Sequence, residues 1–248
     1  MLGIKALTFD TGGTILDWHT GISRHLAKVG VRHGLERDWG AITNDYRASS
    51  LKAMINAGAE APATFNIDDV HRQQLDELIT KYGLDAFTVE DRQAIWYAWH
   101  QLDCWPDFPT TLTQLREKFV VASFTILSVS LIVDTAKRNG LSWDAVISCE
   151  MIGTYKTQPK AYEQCARWLA LDPGEILMVA CHNFDLNAAR AVGFKTAFVY
   201  RPKEWGAAGP PDPEPDPHHD IIADDFPDMA RQLGFAPSIA ESNGLGLR

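Results

Sequence analysis

Apolar positions change their period several times along the chain, and each change marks an element. Ile4-Lys5-Ala6-Leu7-Thr8-Phe9-Asp10 is a short apolar run rich in strand formers, read as a buried strand over 4–10. Beyond it, Ile22, Leu26 and Val29, then Ile42, Tyr46 and Leu51, recur at helical spacing. Further helices are predicted at Val70–Tyr82, with Asp68-Asp69 as its cap and Gly83 after its end, and at Val89–Trp99. Strand signals are scarce across this stretch, which predicts a helical insertion after the first strand.

From Asp103 a turn-rich return leads into alternating elements. Helices are expected at Leu112–Lys118, Val129–Asn139, Pro159–Leu171, Leu186–Val192 and Phe226–Leu233. Strands are expected at Phe119–Ile126, Ala145–Cys149, Ile176–Ala180, Thr196–Tyr200 and, at an edge, Asp220–Ala223. This alternation predicts an α/β fold, a Rossmann-like parallel sheet flanked by helices. The expected division is a core over 1–16 and 104–235, a helical cap over 17–103, and a tail over 236–248. The Pro- and acid-rich segment 207–219 reads as a surface loop.

Composition narrows the function classes. A formal net charge of −9 on 248 residues, with no Lys/Arg cluster, argues against nucleic-acid binding. No apolar stretch is long enough to cross a membrane. Cys104, Cys149, Cys165 and Cys181 show no metal-ligand spacing, and they read as free thiols of a reducing cytoplasm. The N-terminus shows no secretory signal, so a cytoplasmic location is expected.

In an open parallel sheet, ligands bind outside the carboxyl ends of the strands. Asp10 ends the first strand, and Thr11-Gly12-Gly13-Thr14 then turns the backbone around its carboxylate. A carboxylate beside a hydroxyl and backbone N–H groups is poised to act as a nucleophile. The other strand ends contribute Thr125, Lys156, His182, Asn183 and Asp185.

These segments resemble the haloacid dehalogenase superfamily. The likeness rests on Phe9-Asp10-Thr11-Gly12-Gly13-Thr14, the strand ending at Thr125, Tyr155-Lys156-Thr157-Gln158-Pro159, and Val179-Ala180-Cys181-His182-Asn183-Phe184-Asp185. Mg²⁺-dependent phosphatases of that superfamily carry an acid two residues after the nucleophile and a Gly-Asp pair in the fourth motif. Gly12 and Val179-Ala180 stand there instead, leaving too few oxygens for a hard cation. The branch lacking those acids is the 2-haloacid dehalogenases. Tyr46-Arg47, His71-Arg72, Trp105-Pro106-Asp107 and the spacings from Lys156 to Tyr162 and Asp185 are similar to that branch.

The resemblance implies a hydrolase of short 2-haloacids that uses neither metal nor other cofactor. It implies Asp10 as nucleophile, Lys156 as its charge partner, Asp185 as water activator, and Thr14 and Thr125 as groups fixing the Asp10 rotamer. Arg47 would hold halide or substrate carboxylate, Asn183 or His182 would orient water or touch substrate, and Tyr162 would orient a carboxylate. The small Gly12 would open the pocket on one side. A homodimer is compatible with the family. Thr125-Ile126-Leu127 departs from the family's Ser-Asn-Gly, so an altered substrate or a non-catalytic relative stands as the alternative.

Overall fold

The computed structural model describes residues 3–57 and 65–236. Six parallel strands form one sheet in the order β3-β2-β1-β4-β5-β6. They are β1 (Ala6–Phe9), β2 (Val120–Thr125), β3 (Ala145–Ser148), β4 (Ile176–Ala180), β5 (Lys195–Val199) and β6 (Ile221–Ala223). β1 and β4 are buried along their whole length, which accounts for their unbroken apolar runs. Phe9 of β1 pairs with Val179 of β4, and the Asp10 N–H donates to the Val179 carbonyl at 2.9 Å. This register places Asp10 beside the Ala180-Cys181-His182 turn.

Between β1 and β2 the chain forms α1 (Trp18–Arg32), α2 (Trp39–Ala57), α3 (Ile67–Lys81) and α4 (Val89–Tyr97), then a 3₁₀ turn over Ala98–Gln101. α1 packs on α2 and α2 on α3. The entry and exit of this helical stretch are paired: Leu16 bridges Cys104, and the Asp17 N–H donates to the Asp103 carbonyl at 3.0 Å. The later helices are α5 (Phe108–Leu115), α6 (Val129–Asn139), α7 (Cys149–Ile152), α8 (Pro159–Leu169), α9 (Asn183–Val192) and α10 (Phe226–Gln232).

Several boundaries differ from the sequence expectation for identifiable reasons. α3 is capped by Asn66, whose side chain accepts from the Asp69 N–H at 3.0 Å; Asp68 and Asp69 lie in its first turn instead. α5 starts at Phe108 because Pro109 is tolerated in a first turn. The short α7 after β3 has no counterpart in the expected elements. α9 starts at Asn183, so Asp185 is inside its first turn rather than at its cap. Of the tail expected over 236–248, all but residue 236 lies outside the described residues.

α4 depends on one side chain. Thr88 and Asp91 form a reciprocal capping box, and Asp91 also holds Arg32 and His33 of the α1 end. Burial pushes the Asp91 carboxyl up, but His33, the Thr88 N–H and Arg32 outweigh it and hold it at about 2. Its stabilising contribution is therefore complete above the ordinary Asp value of about 3.9 and lost as pH falls through the folded value. Asp91→Asn is expected to cost about 1 kcal/mol in urea unfolding at neutral pH. That difference should shrink as the pH is lowered from about 4 toward 2.

Candidate active site

Asp10 lies at the carboxyl end of β1, buried, with the turn Thr11–Thr14 folded over it. The Thr14 hydroxyl donates to Asp10 Oδ2 at 2.8 Å. Lys156 Nζ donates to Asp10 Oδ1 at 3.3 Å and to Asp185 Oδ2 at 2.7 Å. His182 Nδ1 stands 3.3 Å from Asp10 Oδ2. The Tyr162 hydroxyl donates to Asp185 Oδ1 at 2.6 Å. Residues from separate strand ends thus converge on one carboxylate, as parallel topology allows.

The electrostatics follow from this packing. Burial pushes the Asp10 carboxyl up, yet Lys156 and His182 outweigh it and hold Asp10 well below the usual carboxylate range. Asp185 is pushed above that range, chiefly by burial; Lys156 offsets this in part while the Asp10 charge adds to it. Burial also disfavours the Lys156 ammonium, but Asp185 and Asp10 raise it overall. One carboxylate is thus held toward its ionised form while its neighbour is tuned toward accepting a proton.

Arg47 of α2 is the cation facing this group across the pocket. It is 4% exposed, and its Nε and Nη1 have no hydrogen-bond partner among the described residues. A buried guanidinium with free donors is an unmet demand for an anion. Burial lowers its pKa, opposed by the charges of Glu204 and Asp10.

The pocket is lined by Asp10, Arg47, Lys156, His182 and Asp185, with Leu51, Met54, Ile55, Ile126 and Phe184 as apolar walls. Its volume is about 20 Å³. Arg47, Leu51, Met54 and Ile55 follow helical spacing, so one face of α2 supplies much of that wall.

Other residues depart from the roles expected of them. Thr125 is not among the groups hydrogen-bonded to Asp10 in the described residues; its hydroxyl shares a 2.7 Å hydrogen bond with Thr11 and accepts from the Leu127 N–H. It supports the turn instead. Asn183 faces away from the pocket: its amide donates to Asp212 and to the Glu214 carbonyl, and its oxygen accepts from the Asp216 N–H. A helix-start amide is drawn to the nearest unpaired loop groups, and here that is the acid-rich loop. Gly12 does not open the pocket, because a Cβ there would meet Arg47 Nη2 at 3.2 Å. The guanidinium fills the space that the missing side chain leaves.

Two contributors were not among the expected site residues. Phe184 stacks on His182, with ring centroids 5.3 Å apart. Glu204, after β5, has a side chain only 1% exposed and reaches His182 Nε2 at 3.0 Å. Nothing local marks it, since it lies between two strands in a Pro- and Trp-containing loop.

A Mg²⁺ centre on Asp10 does not fit these residues. A guanidinium occupies the direction of the second acid, Ala180 offers no side-chain oxygen, and Lys156 already spans the two carboxylates. Among the described residues, Cys181, His182 and Glu204 bring potential ligand atoms within 4.8 Å of one another. Both nitrogens of His182 face carboxylates, and in its protonated form the imidazole donates to both and has no lone pair for a metal.

A family model of haloacid dehalogenase-like hydrolases matches residues 4–193. The chain belongs to that family. Among solved structures, it is similar to the defluorinating L-2-haloacid dehalogenase Rha0230, with 36% identity, 93% of this chain and 95% of that one covered, and a TM-score of 0.87. It is also similar to the L-2-haloacid dehalogenase PA0810, with 33% identity, 93% and 98% coverage, and a TM-score of 0.86. A curated relative, (S)-2-haloacid dehalogenase 4A of Burkholderia cepacia, is 25% identical over 80% of this chain and 84% of its own length. Within the haloacid dehalogenase-like hydrolases, the site's carboxylate, lysine and buried arginine form a set suited to anionic substrates.

Proposed function

We propose that the protein hydrolyses short 2-haloalkanoic acids through an ester on Asp10, giving 2-hydroxy acids and halide. The observation that carries this is the ionised Asp10 facing a buried Arg47 with two free donors across an apolar pocket. The haloacid carboxylate or the departing halide answers that demand. The names of the similar proteins support the same substrate class.

An Asp10 oxygen attacks the α-carbon from behind, the C–halogen bond breaks, and that carbon is inverted. Water then attacks the Asp10 carboxyl carbon, giving up a proton to Asp185, which Tyr162 and Lys156 orient. The apolar walls keep bulk water from the first step. We assign the helices within 17–103 as a cap over the sheet edge, carrying Arg47. We also place the protein in the cytoplasm, where its free cysteines stay reduced, and leave a homodimer as its candidate assembly.

The test is halide release from chloro-, bromo- and fluoroacetate and from the two enantiomers of 2-chloropropionate, without added metal. The pocket is small and walled by Leu51, Met54, Ile55 and Phe184, so two-carbon acids should turn over faster than longer ones. No release from any of them by a folded protein sinks the reading. A single turnover in ¹⁸O-water should leave the label in Asp10; label only in the product excludes the ester.

A further inference from the structure

Glu204 connects Gly13 of the first motif to the chemistry of Asp10. A Cβ at Gly13, whose φ is +93°, would lie 2.0 Å from Glu204 Oε1. The turn around Asp10 therefore passes directly over the Glu204 carboxylate, and only glycine permits it. The Trp18 indole N–H donates to the same oxygen at 3.0 Å. From there the carboxylate reaches His182 Nε2 at 3.0 and 3.2 Å, while His182 Nδ1 faces Asp10 Oδ2. The imidazole is thus strung between two buried carboxylates.

When all three carboxylates of the site are ionised, a protonated imidazole balances the charge. The buried carboxylates of this site are Asp10, Asp185 and Glu204; facing them are Lys156 and Arg47, so a charged His182 is the third cation that matches them. Burial disfavours a charged His182, but Cys181, Glu204 and Asp10 around it outweigh burial. The Cys181 thiol is itself pushed up by burial, so the two carboxylates supply the charge.

The two oxygens of Asp10 are not equivalent. Oδ2 faces the Thr14 hydroxyl and His182 Nδ1, whereas Oδ1 faces Lys156 alone. A doubly held oxygen is the poorer nucleophile, so Oδ1 attacks and Oδ2 becomes the ester carbonyl.

We propose that Glu204 is a positioning residue for ester hydrolysis: it holds the His182 imidazolium so that Nδ1–H and the Thr14 hydroxyl stabilise negative charge on Oδ2. The step rests on the dehalogenase reading. Water adds to the Asp10 carboxyl carbon and passes a proton to Asp185, and charge gathers on Oδ2 between those two donors. The tetrahedral species collapses by breaking the bond from that carbon to Oδ1, which leaves with the product. Lys156 protonates the leaving alkoxide and is reprotonated by Asp185 at 2.7 Å. The oxygen from water stays in Asp10, and its second proton leaves to solvent as the Asp10 carboxylate re-forms. Neutral His182 loses this function, because Glu204 then retains the remaining proton on Nε2 and Nδ1 offers a lone pair to Oδ2.

Rapid-quench turnover of chloroacetate with intact-protein mass spectrometry separates the two steps. In Glu204→Gln, alkylation of Asp10 is expected within about 3-fold of wild type. Ester hydrolysis is expected to slow about 10²-fold, so that the ester accumulates. The alkaline limb of kcat should move to lower pH. Of the groups around His182, the carboxylates Asp10 and Glu204 face its two nitrogens. The Glu204 charge is then lost and the cations Arg47 and Lys156 remain, with Asp185 and the Cys181 thiol unchanged. His182→Ala should show the same accumulation, partly rescued by added imidazole, and Glu204→Gln in that background should slow hydrolysis no further. Undiminished hydrolysis in either single variant, equal slowing of both steps, or additive losses overturns the proposal. Should Glu204→Gln fail to fold, His182→Ala and its imidazole rescue decide alone. A wild-type protein that forms no ester with any haloacid overturns the dehalogenase reading and this step with it. Wild-type turnover with an unaffected Glu204→Gln overturns the Glu204 role only.

Discussion

Asp10→Asn is expected to abolish halide release, by about 10⁴-fold or more, without loss of the fold. The amide is isosteric and its carbonyl oxygen can still accept from Thr14, so the turn Thr11–Thr14 has no reason to move. Two things change. The attacking group loses its charge, and Lys156 loses one of its two carboxylates while remaining bound to Asp185. With Asp10 neutral, the Asp185 carboxyl feels less like charge and should ionise more readily. Steady-state halide release and intact mass after incubation with bromoacetate check the prediction. Ester formation at undiminished rate in the variant would show that another group is the nucleophile. Because Asp10 is held below the usual carboxylate range, acid inactivation of the wild type should not follow an ordinary Asp titration. Alkylation of Asp10 should instead persist below about pH 4, the ordinary Asp range, whereas ester hydrolysis is lost first as Asp185, held above that range, takes up a proton.

Arg47→Lys carries the second largest effect, a fall in kcat/KM of about 10²- to 10³-fold. The exchange keeps a charge but not the planar fork, and a point charge does not place two donors at once. Both KM and kcat should suffer if the residue holds substrate carboxylate and departing halide alike. A readout independent of turnover is available. An anion that binds only the folded protein stabilises it by about 2.7 kcal/mol at one hundred times its Kd. Glycolate, the product from chloroacetate, should therefore raise the Tm of the wild type and leave that of Arg47→Met unmoved. Equal shifts in both proteins would place the anion elsewhere.

Hydrophobic patterning carried the architecture a long way. The strand centres, the helical stretch after β1 and the sheet-end location of the site all follow from period changes that the chain displays directly. Errors fell at helix starts. Asn66 rather than Asp68-Asp69 caps α3, because a cap is set by which side chain reaches a free N–H, a matter of backbone geometry that composition does not show. Asp185 lies deeper in its helix than the apolar period implied, since α9 begins on the polar residue Asn183.

The site divides along the same line. Asp10, Thr14, Lys156 and Asp185 were legible because each sits at a strand end or in a motif, and the parallel sheet gathers strand ends. The directions of side chains were not. Thr125 and Asn183 occupy the expected turns but bond to Thr11 and to the acid-rich loop, because each hydroxyl or amide satisfies its nearest partner. Gly12 illustrates the limit most clearly. Sequence shows that an acid is missing there, which argues against a metal. Only packing shows that Arg47, from a helix 35 residues on, fills the space left behind. Glu204 left no trace in the pattern at all. A single buried carboxylate in a loop acquires meaning only from what the fold brings against it, here Gly13, Trp18 and His182. Local order is written in the spacing of neighbouring residues. The charge balance around Asp10 is a sum over contacts distant in sequence, and the tertiary structure alone decides which of them are made.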